Sequence, residues 1–135
     1  MAENINIKCY IMNKTGNDLT VADNSLSWGK WVNSPYTLAN SDDGQEAFKA
    51  SGRKDSASGT AGNVTYEAFD GTQFKIDFDI KWGSEANEIS SSTPSGHGNP
   101  SNFTFMRTKS DYSTQETSGD PGSSPVTVYY LIEQK

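Results

Sequence analysis

The fold of this chain is decided by one stretch of sequence, residues 72–82, which reads TQFKIDFDIKW. Apolar side chains occupy every second position from Phe74 to Trp82, and polar or charged side chains occupy the positions between them. A period of two over eleven residues is typical of a β-strand with one buried and one solvated face. We therefore predict a strand here whose apolar face lies on the core.

The same alternation occurs near both ends of the chain, over residues 5–11 and 126–132. Weaker strand patterns, separated by turn signals rich in Gly, Asn, Ser and Pro, occur at 18–22, 26–32, 47–51, 62–69, 87–91 and 102–107. Two longer polar runs, 91–101 and 109–125, read as loops. Eight or nine short strands with turns between them predict an all-β, single-domain antiparallel β-sandwich over residues 1–135.

The composition limits the class of protein. Only 33% of the 135 residues are hydrophobic, although 11% are aromatic, which predicts a folded domain around a small, aromatic-rich core. Eleven Lys and Arg residues against 17 Asp and Glu residues give a net charge of -6. Non-specific nucleic-acid binding needs an excess of positive charge, so we expect no nucleic-acid partner and no attraction to anionic lipid through charge alone.

The start of the chain, MAENINIKCY, lacks the basic and then apolar pattern of a secretory signal peptide. We therefore expect synthesis in the cytoplasm without a signal peptide. No apolar run approaches the ~18 residues of a spanning helix. Cys9 is the single cysteine, which excludes an intramolecular disulfide and a thiolate metal cluster.

Residues that could carry catalysis are few. His97 is the only histidine and lies in a Gly- and Ser-rich run without a neighbouring nucleophile or acid. Cys9 alternates with isoleucines and reads as a buried apolar residue. Asp77 and Asp79 share a strand face with lysines, which is typical of a solvated outer face. We predict a protein that is not an enzyme and that needs no cofactor or metal.

The placement of tryptophan is the most informative feature that remains. Trp28 and Trp31 flank Gly29, and Trp82 precedes Gly83. An amphipathic ring beside a turn suits a membrane interface or a binding groove, but the same rings also suit a core that is short of leucine. Trp28 and Trp31 are three residues apart, so at least one should lie outside the core unless Gly29 marks a bulge. For Trp82 both placements stay open.

At this point the sequence resembles the aegerolysin family of small β-sandwich proteins, and the resemblance covers nearly the whole chain. It is carried by the segments NKTG at 13–16, SWGKW at 27–31, SGRKDSASGTAG at 51–62 and WGS at 82–84. The resemblance implies recognition of membrane lipids, commonly sphingolipids, by a protein that acts with a larger partner carrying a membrane-attack-complex/perforin domain. In that arrangement the partner forms the pore.

The NKTG segment and the stretch from Trp31 to Pro35 resemble the bacterial members most, including the small components of binary insecticidal toxins. The resemblance therefore implies a protein that is released and acts at the membrane of a target cell. An insect-gut receptor is the alternative to a lipid as the partner. Exposed strand edges and aromatic residues are compatible with a homodimer.

The resemblance also places the candidate site. Trp28 matches the tryptophan of the family's lipid pocket, and Trp82 matches the one before Gly-Ser. The predicted lipid- or membrane-binding residues are Trp28, Trp31, Arg53, Asp55, Ser58, Trp82 and Glu85. Ser58 stands where fungal members carry an acid, and Glu85 stands where they carry a lysine that could hold a lipid phosphate. A glutamate repels phosphate, so the lipid stays open, and a glycan-binding, lectin-like module is the alternative function.

Overall fold

The computed structural model describes residues 5–54, 58–116 and 119–135, and these residues form an all-β sandwich, as predicted. The strands are β1 Asn6–Lys14, β2 Thr20–Trp28, β3 Lys30–Asn33, β4 Gln45–Ser51, β5 Thr60–Glu67, β6 Gln73–Ile80, β7 Glu88–Ser92, β8 Phe103–Thr108 and β9 Val126–Gln134, with a short 3-10 turn at Pro100–Asn102. The strand predicted over 72–82 is therefore confirmed as β6.

Two sheets make up the sandwich. One has five strands in the order β3-β4-β1-β9-β8, and the other has four in the order β2-β5-β6-β7. The predicted antiparallel sandwich is confirmed, with one pair of strands, β1 and β9, that runs in parallel. These two strands come from opposite ends of the chain, so no local turn chemistry could reveal their relative direction.

The core lies between the sheets and follows the predicted alternation. Phe74, Ile76, Phe78 and Ile80 of β6 are buried, while the residues between them remain half-exposed. Cys9 is completely buried, and desolvation raises the pKa of its thiol, so it acts as an apolar core residue. His97 is exposed.

The region 18–32 differs from the prediction of two strands at 18–22 and 26–32. Strand β2 runs without interruption from Thr20 to Trp28 and includes the polar residues 23–25. Polar residues are tolerated there because β2 is an edge strand and most of its side chains face solvent. Strand β2 ends before Gly29, whose φ is positive, and the chain continues into the other sheet as β3. Trp28 and Trp31 therefore belong to different sheets.

The described ranges contain no helix long and apolar enough to cross a membrane. Within the same ranges, no group of His, Cys, Asp and Glu side chains is arranged to hold a metal ion.

Candidate functional site

Two tryptophans emerge at the same end of the four-stranded sheet. Trp28 is the last residue of β2 and is 64% exposed, whereas Trp82 follows the end of β6 and is 40% exposed. Ala61 of β5 pairs with Trp28 on one side and with Asp79 of β6 on the other, which brings the two strand ends together. The expectation that at least one of Trp28 and Trp31 lies outside the core is thus confirmed by Trp28.

The backbone at this end packs too closely for side chains, which explains two glycines. Gly29 has a φ of +92°, and a Cβ there would overlap the carbonyl oxygen of Ser51 and approach the Thr60 hydroxyl to 2.7 Å. A Cβ on Gly59 would overlap the carbonyl oxygen of Ile80. The Thr60 hydroxyl donates to the carbonyl of Trp28 at 3.2 Å. Trp28 is therefore presented from a fixed backbone.

Two depressions meet at Trp28 and Ser58, which line both of them. The first, of about 400 Å³, is lined by Leu26, Ser27, Trp28, Gly29, Arg53 and Ser58. The second, of about 310 Å³, is lined by Trp28, Ser58, Gly59, Thr60, Asp79, Ile80, Lys81, Trp82 and Glu85. We call this end of the molecule, with both depressions, the tryptophan end.

The two depressions differ in charge. The first is lined by Arg53. The second is lined by Asp79, Glu85 and Lys81, but the Lys81 ammonium lies 3.9 Å from Asp79 and 3.4 Å from Glu88. Because these acids balance the lysine, the second depression is acidic and the first is basic.

A larger depression adjoins this end. It has a volume of about 770 Å³ and is lined by residues of β5, β6 and β7 and by residues 119 and 120 of the loop before β9. It shares Ser27 with the first depression and Asp79 with the second. A ligand held at Trp28 therefore has room to extend along the sheet.

The structure brings together five of the seven predicted site residues: Trp28, Arg53, Ser58, Trp82 and Glu85. Asp55 lies outside the described residues. Trp31 lines neither depression. It packs edge-on against Phe48 and Phe78, with ring centroids 5.8 and 6.3 Å away, and so bridges the two sheets. Its ring is half-buried against the core, because Gly29 redirects the chain, so the structure does not bring Trp31 together with the other predicted site residues.

Sequence reasoning missed other lining residues of the second depression. Asp79 and Lys81 were predicted to form a charge-balanced outer face, and their contact confirms that pairing, yet both also line the depression beside Trp28. Thr60 and Gly59 carried no signal beyond a Gly-Thr turn. Their importance depends on contacts between β5 and β6 that are visible only in the folded chain.

The fold and this end of it define a small β-sandwich binding protein with an open, aromatic and charged surface site. The family model described as Aegerolysin matches residues 4–128, and the chain belongs to the aegerolysin family. No curated protein sequence matches it significantly.

Solved structures with the same fold share little sequence with this chain. IP-1A from Alcaligenes faecalis superposes with a TM-score of 0.70 at 18% identity, covering 99% of this chain and 94% of that one. RahU, solved in complex with a Tris molecule, gives 0.70 at 17% identity, with 99% and 98% covered. The lipid-binding protein Nakanori gives 0.64 at 13% identity, with 97% and 71% covered. At these identities the likeness establishes the fold.

Proposed function

We propose that this protein recognises membrane lipid through its tryptophan end. The observation that carries the proposal is the joint exposure of Trp28 and Trp82 beside two charged depressions. Membership of the aegerolysin family supports a lipid partner, as does the description of the same-fold protein Nakanori as lipid-binding.

The exposed area of the two rings is large enough for membrane attachment. At about 25 cal/mol per Å² and about 250 Å² for a whole tryptophan, transfer into a bilayer interface contributes at most ~4 kcal/mol for Trp28 and ~2.5 kcal/mol for Trp82. Association costs offset part of this gain. The remainder corresponds to weak binding, with a dissociation constant of about millimolar or weaker, unless the head group adds contacts.

The charges beside Trp28 favour a head group that carries both signs. Arg53 can hold an anionic oxygen in the first depression, while Asp79, Glu85 and the face of Trp28 suit an ammonium group in the second. Glu85 and Arg53 line different depressions, so a phosphate held at Arg53 lies in the depression that Glu85 does not line. A zwitterionic phospholipid or sphingolipid fits this arrangement.

The family relation supports a finer proposal. In it, the protein is the membrane-recognition component of a two-component, insecticidal pore-forming toxin and acts with a larger protein of the membrane-attack-complex/perforin type. It is released from the producing cell, acts at the surface of the target cell, and can do so as a homodimer. The isolated protein then binds membranes without making pores.

Vesicle co-sedimentation with leakage of a trapped dye tests the lipid proposal. The vesicles contain phosphatidylcholine alone, phosphatidylcholine with sphingomyelin and sterol, or phosphatidylcholine with ceramide phosphoethanolamine. The proposal predicts selective pelleting with one zwitterionic mixture, little leakage, and loss of pelleting in Trp28→Ala. Phe69→Ala is the matched control, because Phe69 is 54% exposed and follows the far end of β5.

The result that contradicts lipid recognition is failure to pellet with every mixture. Pelleting with insect-gut membrane vesicles, inhibited by free sugars, would then support the glycan-binding alternative. Equal loss of pelleting in Trp28→Ala and Phe69→Ala would instead show that the tryptophan end is not the binding surface.

A further inference from the structure

The turn that carries Trp82 and Glu85 is closed by one buried side chain, Asn87. Only 6% of Asn87 is exposed. Its Oδ1 atom accepts a hydrogen bond from the backbone N–H of Lys81 at 2.8 Å. Lys81 and Asn87 are the two ends of the turn, so this bond fixes the separation at which residues 82–86 leave and rejoin the sheet.

The other half of the same amide reaches a different part of the chain. The Nδ2 atom of Asn87 donates to the carbonyl oxygen of Gly122 at 2.7 Å. An N–H partner on one side and a carbonyl partner on the other fix the orientation of the amide. Asn87 therefore joins the turn to the loop that precedes β9.

That loop is itself held against the five-stranded sheet. Arg107 of β8 donates from Nη1 to the carbonyl oxygen of Gly119 at 3.2 Å, and the backbone N–H of Asn6 donates to the Ser124 hydroxyl oxygen at 2.9 Å. Within the loop, the N–H of Gly122 donates to Asp120 at 2.8 Å. Through Gly122, Asn87 connects the Trp82 turn to the opposite sheet.

The turn has little else in its own sequence to define its position. Residues 82–86 are all exposed, and a Cβ on Gly83 would meet no atom within 4 Å. Exposed segments with few packing contacts open at low free-energy cost. The buried amide is different, because breaking its bonds leaves a desolvated donor and acceptor without partners.

We propose that Asn87 is a positioning residue that holds Trp82 and Glu85 beside Trp28. The predicted effect of Asn87 on lipid binding rests on the proposed function. Its effect on the position of Trp82 does not, since that position can be measured without lipid. The two hydrogen bonds act separately. Asn87→Asp keeps the acceptor for Lys81 but turns a carboxylate oxygen toward the Gly122 carbonyl, whereas Asn87→Ala removes both bonds.

The test without lipid is acrylamide quenching of tryptophan emission. The Trp82 contribution is the difference between each protein and its Trp82→Phe counterpart. Positioning predicts that Asn87→Ala raises the quenching constant of Trp82 and that Asn87→Asp raises it less. Asn13→Ala is the matched control. Asn13 is also buried, and its Nδ2 donates to the backbone carbonyls of Asn17 and Leu38, at the end of the molecule away from Trp82. An increase of the same size in Asn13→Ala, or none in Asn87→Ala, would overturn the inference.

The second arm is a double-mutant cycle on vesicle binding. If Asn87 acts through Trp82 and Glu85, Asn87→Ala weakens binding about tenfold in the wild-type background and only about two- to fivefold in Trp82→Ala, where the Glu85 contribution remains. The same factor in both backgrounds would contradict positioning. If wild-type protein binds no vesicles while the quenching result holds, the proposed function fails and the positioning role of Asn87 stands. If Asn87→Ala does not fold, Asn87→Asp takes its place in both the quenching and the vesicle-binding experiments.

Discussion

The two ends of the four-stranded sheet both present an exposed aromatic residue, but they differ in the charge and shape of the surface around it. At the tryptophan end, Trp28 lies between two charged depressions. At the other end, about 25 Å away along β5, Phe69 is 54% exposed. Its ring packs edge-on against Phe103, with the two ring centroids 6.2 Å apart. We call this second end, with its turn at residues 68–72, the phenylalanine end.

The turn at the phenylalanine end satisfies its own polar groups. The N–H of Thr72 donates to the Asp70 carboxylate at 2.9 Å, the N–H of Asn99 donates to the Thr72 hydroxyl at 2.8 Å, and the N–H of Gly71 donates to the Ala68 carbonyl at 3.0 Å. At the tryptophan end, Arg53 and Glu85 instead line depressions that a ligand can enter, and Asp79 lines the second one while it contacts Lys81. Exposure of an aromatic ring is therefore a weaker sign of a site than a ring flanked by charge and concavity.

The largest expected difference between the ends concerns the backbone. Gly29 and Gly71 both have positive φ, at +92° and +89°, but a Cβ on Gly29 would overlap the Ser51 carbonyl, whereas one on Gly71 would meet its nearest atom, Gly98 N, at 3.9 Å. We expect Gly29→Ala to lower the free energy of unfolding by about 3 kcal/mol or more, and Gly71→Ala by only about 1 kcal/mol. Urea denaturation measures both. Equal losses would show that Ser51 moves aside.

The next effect concerns the exposed rings. We expect Trp28→Ala to weaken vesicle binding about 100-fold and Trp82→Ala about tenfold, because Trp28 offers more exposed area to the bilayer. Phe69→Ala should leave binding within about twofold of the wild type. Vesicle titrations give the three ratios. A larger loss for Phe69→Ala than for Trp82→Ala would place the binding surface at the phenylalanine end.

A smaller effect concerns charge. Glu85→Gln should weaken binding to phosphatidylcholine vesicles by about two- to fivefold, because an exposed carboxylate near an ammonium contributes less than about 1 kcal/mol. Its matched control is Asp18→Asn, which removes an exposed carboxylate near the phenylalanine end. Salt should reduce the difference between wild type and Glu85→Gln. Stronger binding by Glu85→Gln would mean that phosphate, rather than ammonium, lies at this residue.

The smallest effect is a pH dependence at the phenylalanine end. The backbone hydrogen bond from Thr72 lowers the pKa of Asp70, so its stabilising effect is complete above the unfolded pKa of about 3.9 and is lost as pH falls through the lower folded value. Asp70→Ala should therefore be slightly less stable than wild type at pH 7, and the difference in stability should shrink as pH falls below the ordinary Asp pKa of about 3.9. Thermal melts at pH 7, 4 and 2 measure it. A gap that stays constant with pH would exclude the carboxylate as its cause.

The strongest sequence patterns predicted the elements that form the core. Period-two alternation identified β1, β6 and β9, since each buries one face against the opposite sheet. Alternation is absent from β2, which is an edge strand with most side chains in solvent, so its central residues 23–25 were not predicted as strand. The parallel pairing of β1 with β9 was not predicted, because the two strands lie at opposite ends of the sequence and no turn connects them.

The candidate site was predictable where a single residue carries the signal. Trp28 and Trp82 were found because tryptophan beside glycine is conspicuous. The inward direction of Trp31 was not, because it depends on the positive φ of Gly29. Asn87 carried no signal at all, since its role arises from contact with Gly122, 35 positions away in the sequence.

The most direct test of the account is quenching of tryptophan emission by vesicles that carry nitroxide-labelled lipid near the head groups. Membrane contact through the tryptophan end predicts that binding to these vesicles quenches a large part of the emission, and that most of this quenching disappears in Trp28→Phe. Trp31, which is half-buried against Phe48 and Phe78, should be quenched much less than Trp28 in both proteins. Unchanged quenching in Trp28→Phe, with binding preserved, would contradict the claim that the tryptophan end is the membrane-contacting surface.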